Sequence, residues 1–508
     1  MKRILLAGSL IAAACGCLAF TTTPATAAKP AATPTASPTP LPMPTASPEP
    51  PSVAIPRLEA RLKANPNDRD AMLGLAQQFL VIGHPEAAVG LTQHLLQIGT
   101  KTAQVYYLDA SAQGSLNNVN AAISDLEAAS NLEPTNLSVL ASLASLYVKA
   151  NRFPDAERVA NRAVTFNKTD PQAYSTLGSV YAAEQKWDDA RKEFEQAYQI
   201  DPKDVSPLMQ EAQTWVAQNT IPNALTVIDR ALAVDPKNVQ VLLFRADLFA
   251  KRNDIAASAS AFDDAAAAAT SDGDKASVMV RKALMYAAAR QTSQAEATFD
   301  SAIQKYPAVA SLHVAYGEYF MGQHDQRRAE QQFQAALGVD KNDVNALFDL
   351  AQLKESQGRI SDAVTYLKQL AAVAPSAQTF GLLGQGYIQL HDYNHAKDAC
   401  SHSFAIDRTP DSLACIAGSD FSLKNYKEAA QIFGIIDAQA RPYMDHNPQM
   451  LYMMGYSYAH NNDKTKALDA YKRLLKMLKP GTSQYKQIQT QIASLNTTAK
   501  PGKKTKRT

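Results

Sequence analysis

The sequence is poor in cysteine, tryptophan, glycine and charge. Only four of 508 residues are cysteine, two are tryptophan and 21 are glycine. This scarcity excludes a small disulfide framework and a collagen. Charged side chains make up 19% and aromatic side chains 7% of the chain. With 46% hydrophobic residues, the composition is that of a folded protein and not of a disordered one.

Familiar catalytic motifs are also missing. The chain has no glycine-rich phosphate loop ending in Lys-Ser or Lys-Thr, no His-Glu-x-x-His and no Gly-x-Ser-x-Gly. His391 and His395 are spaced like metal ligands, but they fall at a polar turn and helix start, where solvated residues are normal. We therefore assign no catalytic, cofactor-binding or metal-binding residue. A non-enzymatic protein is expected, with an enzyme of unrecognised site as an alternative.

Charge gives no support for a nucleic-acid partner. The formal net charge is +2. Without the two basic residues near the start and the five in the C-terminal tail, 43 basic side chains face 48 acidic ones. The body is mildly acidic, so we expect no nucleic-acid binding. The basic tail, residues 497–508, is interpreted as a disordered end, although it could attract anionic polymers or lipids.

The N-terminus resembles an export signal. Met1-Lys2-Arg3 is basic, an apolar stretch runs to Phe20, and Ala25-Thr26-Ala27 offers a cleavage site. Residues 1–27 are thus predicted to be a secretory signal, which places the protein in the periplasm or outside the cell. A membrane anchor is an alternative, and so is a lipid anchor at Cys15 or Cys17. Neither cysteine has a large aliphatic residue three positions before it.

A proline-rich segment follows. Residues 28–56 contain ten prolines, and the sequence Pro-Thr-Ala-Ser-Pro occurs twice. Such a composition favours extended polyproline II and cannot form a core. We predict a disordered linker over residues 28–54, which could also act as a stalk.

Alanine is the abundant residue, at about one position in six, which favours closely packed helices. By length alone the chain would hold three or four domains. An internal repeat indicates instead a single array of repeated units. The small residue Gly178 recurs every 34 residues, as Ala76, Ala110, Ala144, Ala212 and Ala246. A second small residue, Ala190, recurs in the same way, as Ala88, Ala122, Ala156, Ala224 and Ser258.

Each repeat has the pattern of two helices. Tyr174, Leu177 and Tyr181 form one helical stripe, and Phe194 belongs to a second. A polar turn separates them, and Gly178 and Ala190 are small where the helices approach. Proline after Asp201 ends the second helix, because the residue before proline disfavours helical geometry.

This pattern resembles the tetratricopeptide repeat family, over roughly residues 55–496. The resemblance implies an all-α solenoid of about twelve helix-turn-helix units forming a right-handed superhelix. A closing helix is expected over 483–495, and candidate hinges lie near 270–275 and 437–447. The turn of the degenerate unit near 410 is expected to be one residue short. The units are expected to begin near 69, 103, 137, 171, 205, 239, 276, 310, 344, 377, 410 and 448.

The resemblance also implies where a partner binds. One face of each first helix would line a concave groove. It carries mostly amides, hydroxyls and scattered apolar groups, without the basic clamp that grips acidic chaperone tails. A neutral groove suits extended protein segments. The expected groove residues are Tyr107, Ser111, Gln172, Ser175, Ser179, Met209, Gln213, Asn345, Phe348, Gln352, Gln378, Gln385, Tyr452 and Tyr456.

The sequence suggests the general function of the protein but does not identify its partner. The first hypothesis is a scaffold outside the cytoplasm that holds protein segments. A narrower alternative is an assembly component of an envelope system for polysaccharide export, pilus formation or outer-membrane biogenesis.

Cys400 and Cys415 fall on neighbouring helices and could form a disulfide in an exported protein. Two adjacent buried thiols are the alternative.

Overall fold

The computed structural model describes residues 49–497. Within that range the regular structure consists of 27 α-helices, and no strand occurs there. The predicted all-α solenoid class is confirmed. The expected signal, Cys15 and Cys17, most of the proline-rich segment and the basic tail lie outside the described residues.

The chain divides after Glu296 into two compact units, and the division falls inside helix α15. The N-terminal unit holds the following helices: α1 (Pro51–Ala64), α2 (Arg69–Val81), α3 (Pro85–Gln97), α4 (Ala103–Ser115), α5 (Val119–Leu132), α6 (Leu137–Lys149), α7 (Phe153–Phe166), α8 (Pro171–Ala183), α9 (Trp187–Ile200), α10 (Ser206–Ala217), α11 (Ile221–Val234), α12 (Val239–Lys251), α13 (Ile255–Ala268), α14 (Asp272–Ala288) and the start of α15 (Thr292–Lys305).

The C-terminal unit begins within α15. Its further helices are α16 (Ala310–Gly322), α17 (Gln326–Val339), α18 (Val344–Ser356), α19 (Ile360–Val373), α20 (Ala377–Gln389), α21 (Tyr393–Ile406), α22 (Pro410–Ser422), α23 (Tyr426–Gln439), α24 (Arg441–Asp445), α25 (Pro448–His460), α26 (Lys464–Met477) and α27 (Ser483–Thr497). Apart from α1, α24 and α27, the helices form consecutive pairs, each with a first and a second helix. In both units consecutive helices pack against each other.

Polar side chains set the start of most first helices. The Asp68 carboxylate accepts a hydrogen bond from the Ala71 amide at 3.0 Å, and the Asp343 carboxylate accepts one from the Ala346 amide at 2.8 Å. Such N-caps satisfy amides that have no partner inside the helix. They explain why most first helices begin where the sequence turns from Asp, Asn, Ser or Thr to an apolar pattern; α10 and α16, which follow Val205 and Val309, have no such cap.

The turn inside each pair has three residues, and the middle one always has a positive φ. Asparagine is frequent there because it tolerates the left-handed region better than most residues. The residues at this position are Gly83, Asn117, Asn151, Gln185, Asn219, Asn253, Arg290, His324, Gly358, His391, Lys424 and Asn462.

The small residues mark the closest approach of the two helices in a pair. A Cβ atom on Gly178 would lie 2.7 Å from Phe194 and 3.1 Å from the Ala190 carbonyl oxygen. Gly455 faces Tyr471 in the same way, with a would-be separation of 2.7 Å. The predicted close contact at these positions is confirmed, and the large ring beside each glycine fills the space that it leaves.

Several boundaries differ from the expected ones. Helix α1 begins at Pro51, because proline is accepted in the first turn of a helix. The segment near 270–275 is largely helical, since Ser271 caps α14 and the insertion lengthens that helix.

The segment 437–447 contains the short helix α24. The Arg473 guanidinium holds α24 in place, donating to Asp445 at 2.6 Å and to Asp437 at 2.7 Å.

The prediction of a short turn in the unit near 410 is wrong. The turn between α22 and α23 has the usual three residues, and it is the loop before α22, residues 407–409, that is short.

Candidate binding face on the first helices

The residues expected to line a groove all lie on first helices, in α4, α8, α10, α18, α20 and α25. They fall into three groups by exposure. The exposed ones are Gln172, Ser179, Gln213, Asn345, Gln352 and Gln378. The half-buried ones are Ser111, Met209, Phe348, Gln385, Tyr452 and Tyr456.

Two of the expected residues are buried. Tyr107 and Ser175 are each 7% exposed. Tyr107 packs in a core cluster with residues of α5 and α6, and burial raises the pKa of Tyr107 to about 12. These two side chains contribute to packing between neighbouring pairs and are not accessible to a partner. Sequence spacing alone did not distinguish them from their exposed neighbours.

The exposed members offer hydrogen-bonding groups on adjacent first helices of the N-terminal unit. Ser179 donates to the Ser175 carbonyl oxygen of its own helix at 2.8 Å, so its hydroxyl oxygen can still accept a bond. Gln172 and Gln213 each carry an amide with donors and an acceptor. This surface suits the backbone of an extended protein segment, which presents the same groups.

Charged groups also occur between neighbouring first helices, and sequence reasoning missed most of them. In the N-terminal unit the Arg281 guanidinium of α14 donates to the Asp247 carboxylate of α12 at 2.7 Å. In the C-terminal unit the corresponding positions hold two carboxyl groups, Glu318 of α16 and Asp349 of α18. Burial, and secondly the charge of Glu318, raise the pKa of Asp349 to about 6. An alignment of each first helix with the next one, position by position, would have revealed both side-chain pairs, Asp247 with Arg281 and Glu318 with Asp349.

A cluster of aromatic rings lies on two consecutive helix pairs of the C-terminal unit. It consists of Phe421 at the end of α22, Tyr426 at the start of α23, and Tyr452, Tyr456 and His460 on α25. The Tyr456 and His460 rings stack with centroids 4.0 Å apart, and the Tyr426 ring lies 4.8 Å from His460. We call these five residues the tyrosine platform. Only Tyr452 and Tyr456 were singled out from sequence.

The two cysteines of the body lie side by side. Cys400 on α21 and Cys415 on α22 have Cα atoms 6.0 Å apart, and their sulfur atoms are in covalent contact. That Cα separation lies within the range of disulfides. Gly384 of α20 faces both sulfur atoms, which explains a glycine at this position better than any loop function would.

The two histidines considered as metal ligands have other partners. The His391 ring lies 2.9 Å from the Tyr393 hydroxyl, and the His395 ring lies 2.7 Å from the Asp392 carboxylate. Within residues 49–497, no three His, Cys, Asp or Glu side chains form a group that could hold a metal ion.

A buried acidic pair lies in the N-terminal unit. The Thr92 hydroxyl of α3 donates to the Asp109 carboxylate of α4 at 2.7 Å, and Asp109 is 3% exposed. Burial, and secondly the charge of Asp109, raise the pKa of the neighbouring Asp125 to about 7. The pair is enclosed by α3, α4 and α5, so we interpret it as part of the packing between these helices. Nothing in the repeat pattern points to it.

No helix in the described part of the chain is long and apolar enough to cross a membrane.

Family comparisons agree with the repeat. A family described as the tetratricopeptide repeat protein 21 C-terminal ARM domain matches residues 50–251. One tetratricopeptide repeat family matches residues 320–386, and another matches 277–308 and 449–477. No curated protein sequence matches the chain.

Solved structures to which this chain is similar come from several organisms. A tetratricopeptide repeat protein from Parabacteroides merdae is 15% identical, over 46% of this chain and 92% of that one, with a TM-score of 0.38. Yeast Tom70 is 16% identical, over 74% and 93% of the chains, with a TM-score of 0.34. A thermophilic tetratricopeptide repeat protein from Thermus thermophilus is 21% identical, over 36% and 98%, with a TM-score of 0.31.

Proposed function

This chain is a tetratricopeptide repeat protein, and from that premise we propose that it is a non-enzymatic scaffold for segments of partner proteins. The observation that carries the proposal is the repeated display of exposed amides and hydroxyls on successive first helices, as at Gln172, Ser179 and Gln213. Because each helix pair adds a similar surface, contacts that are weak singly can sum along a bound segment.

The chemistry of this face favours an extended, uncharged segment. Amide and hydroxyl groups pair with a peptide backbone without requiring charge on the partner. In the N-terminal unit the Asp247 charge is balanced by Arg281. An acidic tail would find no row of basic side chains there, since the positions equivalent to Ser179 hold Ser111, Ser145, Gln213 and Asp247.

Site-specific photo-crosslinking in living cells tests the scaffold proposal. A photoreactive residue in place of Gln213 should crosslink to partner proteins. The matched control is Thr226 on the second helix α11, which is also exposed. Partners recovered from position 213 and absent from position 226 are the expected result. Equal recovery from both positions, or none from 213, would contradict a partner face on the first helices.

We also propose that the protein acts outside the cytoplasm. The N-terminal sequence has the three parts of a secretory signal, and the adjacent Cys400 and Cys415 are suited to an oxidising compartment. Mass spectrometry of the purified native protein should find Ala28 as the first residue. A lipid-modified Cys15 or Cys17 would indicate export by the alternative route, and an intact Met1 would contradict export with cleavage.

A further inference from the structure

Glycine faces an aromatic ring at the closest contact of two helix pairs in the C-terminal unit. A Cβ atom on Gly317 would lie 2.5 Å from the Phe333 ring, and one on Gly455 would lie 2.7 Å from the Tyr471 ring. Each ring comes from the second helix of its pair and is almost completely buried. The ring therefore fills the space that the glycine leaves, as close packing of a protein interior requires.

The pair formed by α20 and α21 has the glycine but has sulfur in place of the ring. Gly384 of α20 faces the Cys400 sulfur of α21, and the Cys415 sulfur of α22 lies 3.3 Å from a would-be Cβ on the same glycine. Apart from Cys400, the buried side chains of α21 are two alanines and a serine. The rings that α21 stacks on α20, those of His395 and His402, belong to exposed residues. Two sulfur atoms therefore fill the centre of this contact.

A set of buried hydroxyl groups depends on the same helix spacing. The Ser403 hydroxyl of α21 donates to the Ala377 carbonyl oxygen of α20 at 2.8 Å and lies 3.0 Å from the Ser412 hydroxyl of α22. Ser403 is 4% exposed and Ser412 is 7% exposed, so water has little access to these groups. Because a buried polar group that loses its partner is costly, a shift of α21 would weaken its contacts with α20 and with α22 together.

Reduction by a dithiol would remove this fit. Cys415 is half-buried whereas Cys400 is 1% exposed, so a thiolate of the reductant attacks the Cys415 sulfur. The S–S bond breaks, and Cys400 leaves as a thiolate and takes up a proton. The second thiol of the reductant then closes the reductant's own disulfide and releases Cys415 as a thiol, so that two electrons and two protons have been transferred. Two unbonded sulfur atoms need more room than two bonded ones, and α21 must move to provide it.

We propose that α20, α21 and α22 form a redox-responsive element. In the oxidised protein the bonded sulfur atoms take the place of the core ring, and in the reduced protein α21 loses its close contact with α20. A cross-link by itself acts through the loop that it closes, residues 400–415, whereas α20 lies outside that loop. The inference concerns the order of three helices and needs no partner, so its failure would leave the scaffold proposal untouched.

Hydrogen exchange of the full chain with and without dithiothreitol tests the proposal. Peptide mass spectrometry first verifies that Cys400 and Cys415 are bonded before the reductant is added and free afterwards. Amides of α20 and α21 should then exchange about tenfold faster or more. Helices α16 and α17 are the internal control, because Phe333 fills their contact, and their exchange should not change. Equal exchange of α20 in both states, an equal loss in α16 and α17, or thiols that stay unbonded even in the presence of diamide would overturn the proposal.

A ring in place of the sulfur atoms separates packing from cross-linking. Cys400→Phe with Cys415→Ala supplies a ring that faces Gly384 and removes the bond, whereas the matched control, Cys400→Ser with Cys415→Ala, has neither. Amides of α20 should exchange about tenfold more slowly in the phenylalanine variant than in the serine variant, and dithiothreitol should affect neither. Equal exchange of α20 in the two variants would show that the cross-link alone holds the pair, and the proposal would fail. The comparison of the oxidised and reduced unmodified protein decides the matter if either variant does not fold.

Discussion

Gly178 shows how little room a helix pair leaves at its closest point. Any side chain there would meet Phe194 and the Ala190 carbonyl, and well-packed cores respond to added atoms with strain. We expect Gly178→Ala to destabilise its pair by about 1–3 kcal/mol. Gly90 lies inside helix α3 with nothing within 4 Å of a would-be Cβ.

Gly90→Ala is therefore the control for Gly178→Ala. It should stabilise α3 by up to ~1 kcal/mol, because alanine is the better helix former. Hydrogen exchange of the amides in α8, α9 and α3 measures both effects. A loss of protection of similar size in both variants would show that the space beside Gly178 is not what matters.

The Asp109–Asp125 pair gives stability a pH dependence. The pKa of Asp125 rises from 3.8 to about 7 in the folded protein, so the folded state binds more protons between these values. The group's contribution to stability is present at acid pH and is lost as pH rises through about 7. We expect protection of α4 and α5 to fall by about 1–2 kcal/mol from pH 5 to pH 8, less than the full shift implies because solvent screens a half-exposed group.

Asparagine in place of Asp125 should reduce this pH dependence and leave the part that comes from Asp109, whose pKa burial also raises. Hydrogen exchange at the two pH values, corrected for the intrinsic exchange rate, measures it. Asp264→Asn, at an exposed aspartate of the same unit, should leave the pH dependence as it is. If Asp125→Asn kept the full slope, the proton would have to be held elsewhere.

At the scale of helices and turns, the turns inside the pairs form a natural comparison. Their middle residue always has a positive φ, which glycine adopts without strain and other residues do not. Lys424 has φ 65° and Gly358 has φ 72°. We expect Gly358→Ala to cost about 1 kcal/mol. Lys424→Gly should raise the free energy of unfolding by ~0.5 kcal/mol. The gain is small because the relief of backbone strain is partly offset by the greater conformational freedom of glycine in the unfolded chain.

Local hydrogen exchange in the helices on either side of each turn is the appropriate measurement. Asn462→Gly should change little, because asparagine already tolerates this geometry. Opposite signs at positions 358 and 424 are the essential result. A change in stability of the same sign at both positions would show that side-chain contacts outweigh backbone strain.

The Cys400–Cys415 contact joins two consecutive helix pairs through α21 and α22. The two residues are 15 apart in sequence, and a cross-link closing a loop of that size stabilises by about 3 kcal/mol in the chain-entropy view. We expect reduction to lower the protection of α21 and α22 by up to that amount. Ellman's reagent should find no free thiol at these positions in denatured, unreduced protein. Two free thiols would contradict the bond.

At the scale of each unit, contacts run between neighbouring pairs. In the N-terminal unit a change in one pair should therefore spread to the next pair and fade beyond it. For Gly178→Ala we expect the largest loss of protection in α8 and α9, a smaller loss in α6, α7, α10 and α11, and almost none in α2 and α3. Hydrogen exchange resolved by helix tests this. A uniform loss through the unit would show that it unfolds as a single body.

The periodicity of the sequence determines which parts of the fold and of the candidate site could be predicted. Small residues at 34-residue spacing gave the helix pairs and their closest contacts, because packing distance fixes residue size at each position. The short helix α24 escaped prediction, since Arg473 of α26 holds it through Asp445 of α24 and Asp437 of α23, a contact that the repeat pattern does not include. The burial of Tyr107 and the approach of Glu318 to Asp349 escaped as well. Each depends on which side chains two successive pairs bring together, and the spacing within one repeat does not encode that.

The close contact beside Gly178 also bears on how this protein can evolve. A position that admits only glycine or alanine returns once in each helix pair, so tolerance to substitution should rise and fall with the same period. A saturation-mutagenesis profile of the chain should show that rhythm even where neighbouring repeats share few identical residues. Steric intolerance would thus preserve the register of the array while its exposed faces remain free to diverge toward new partners.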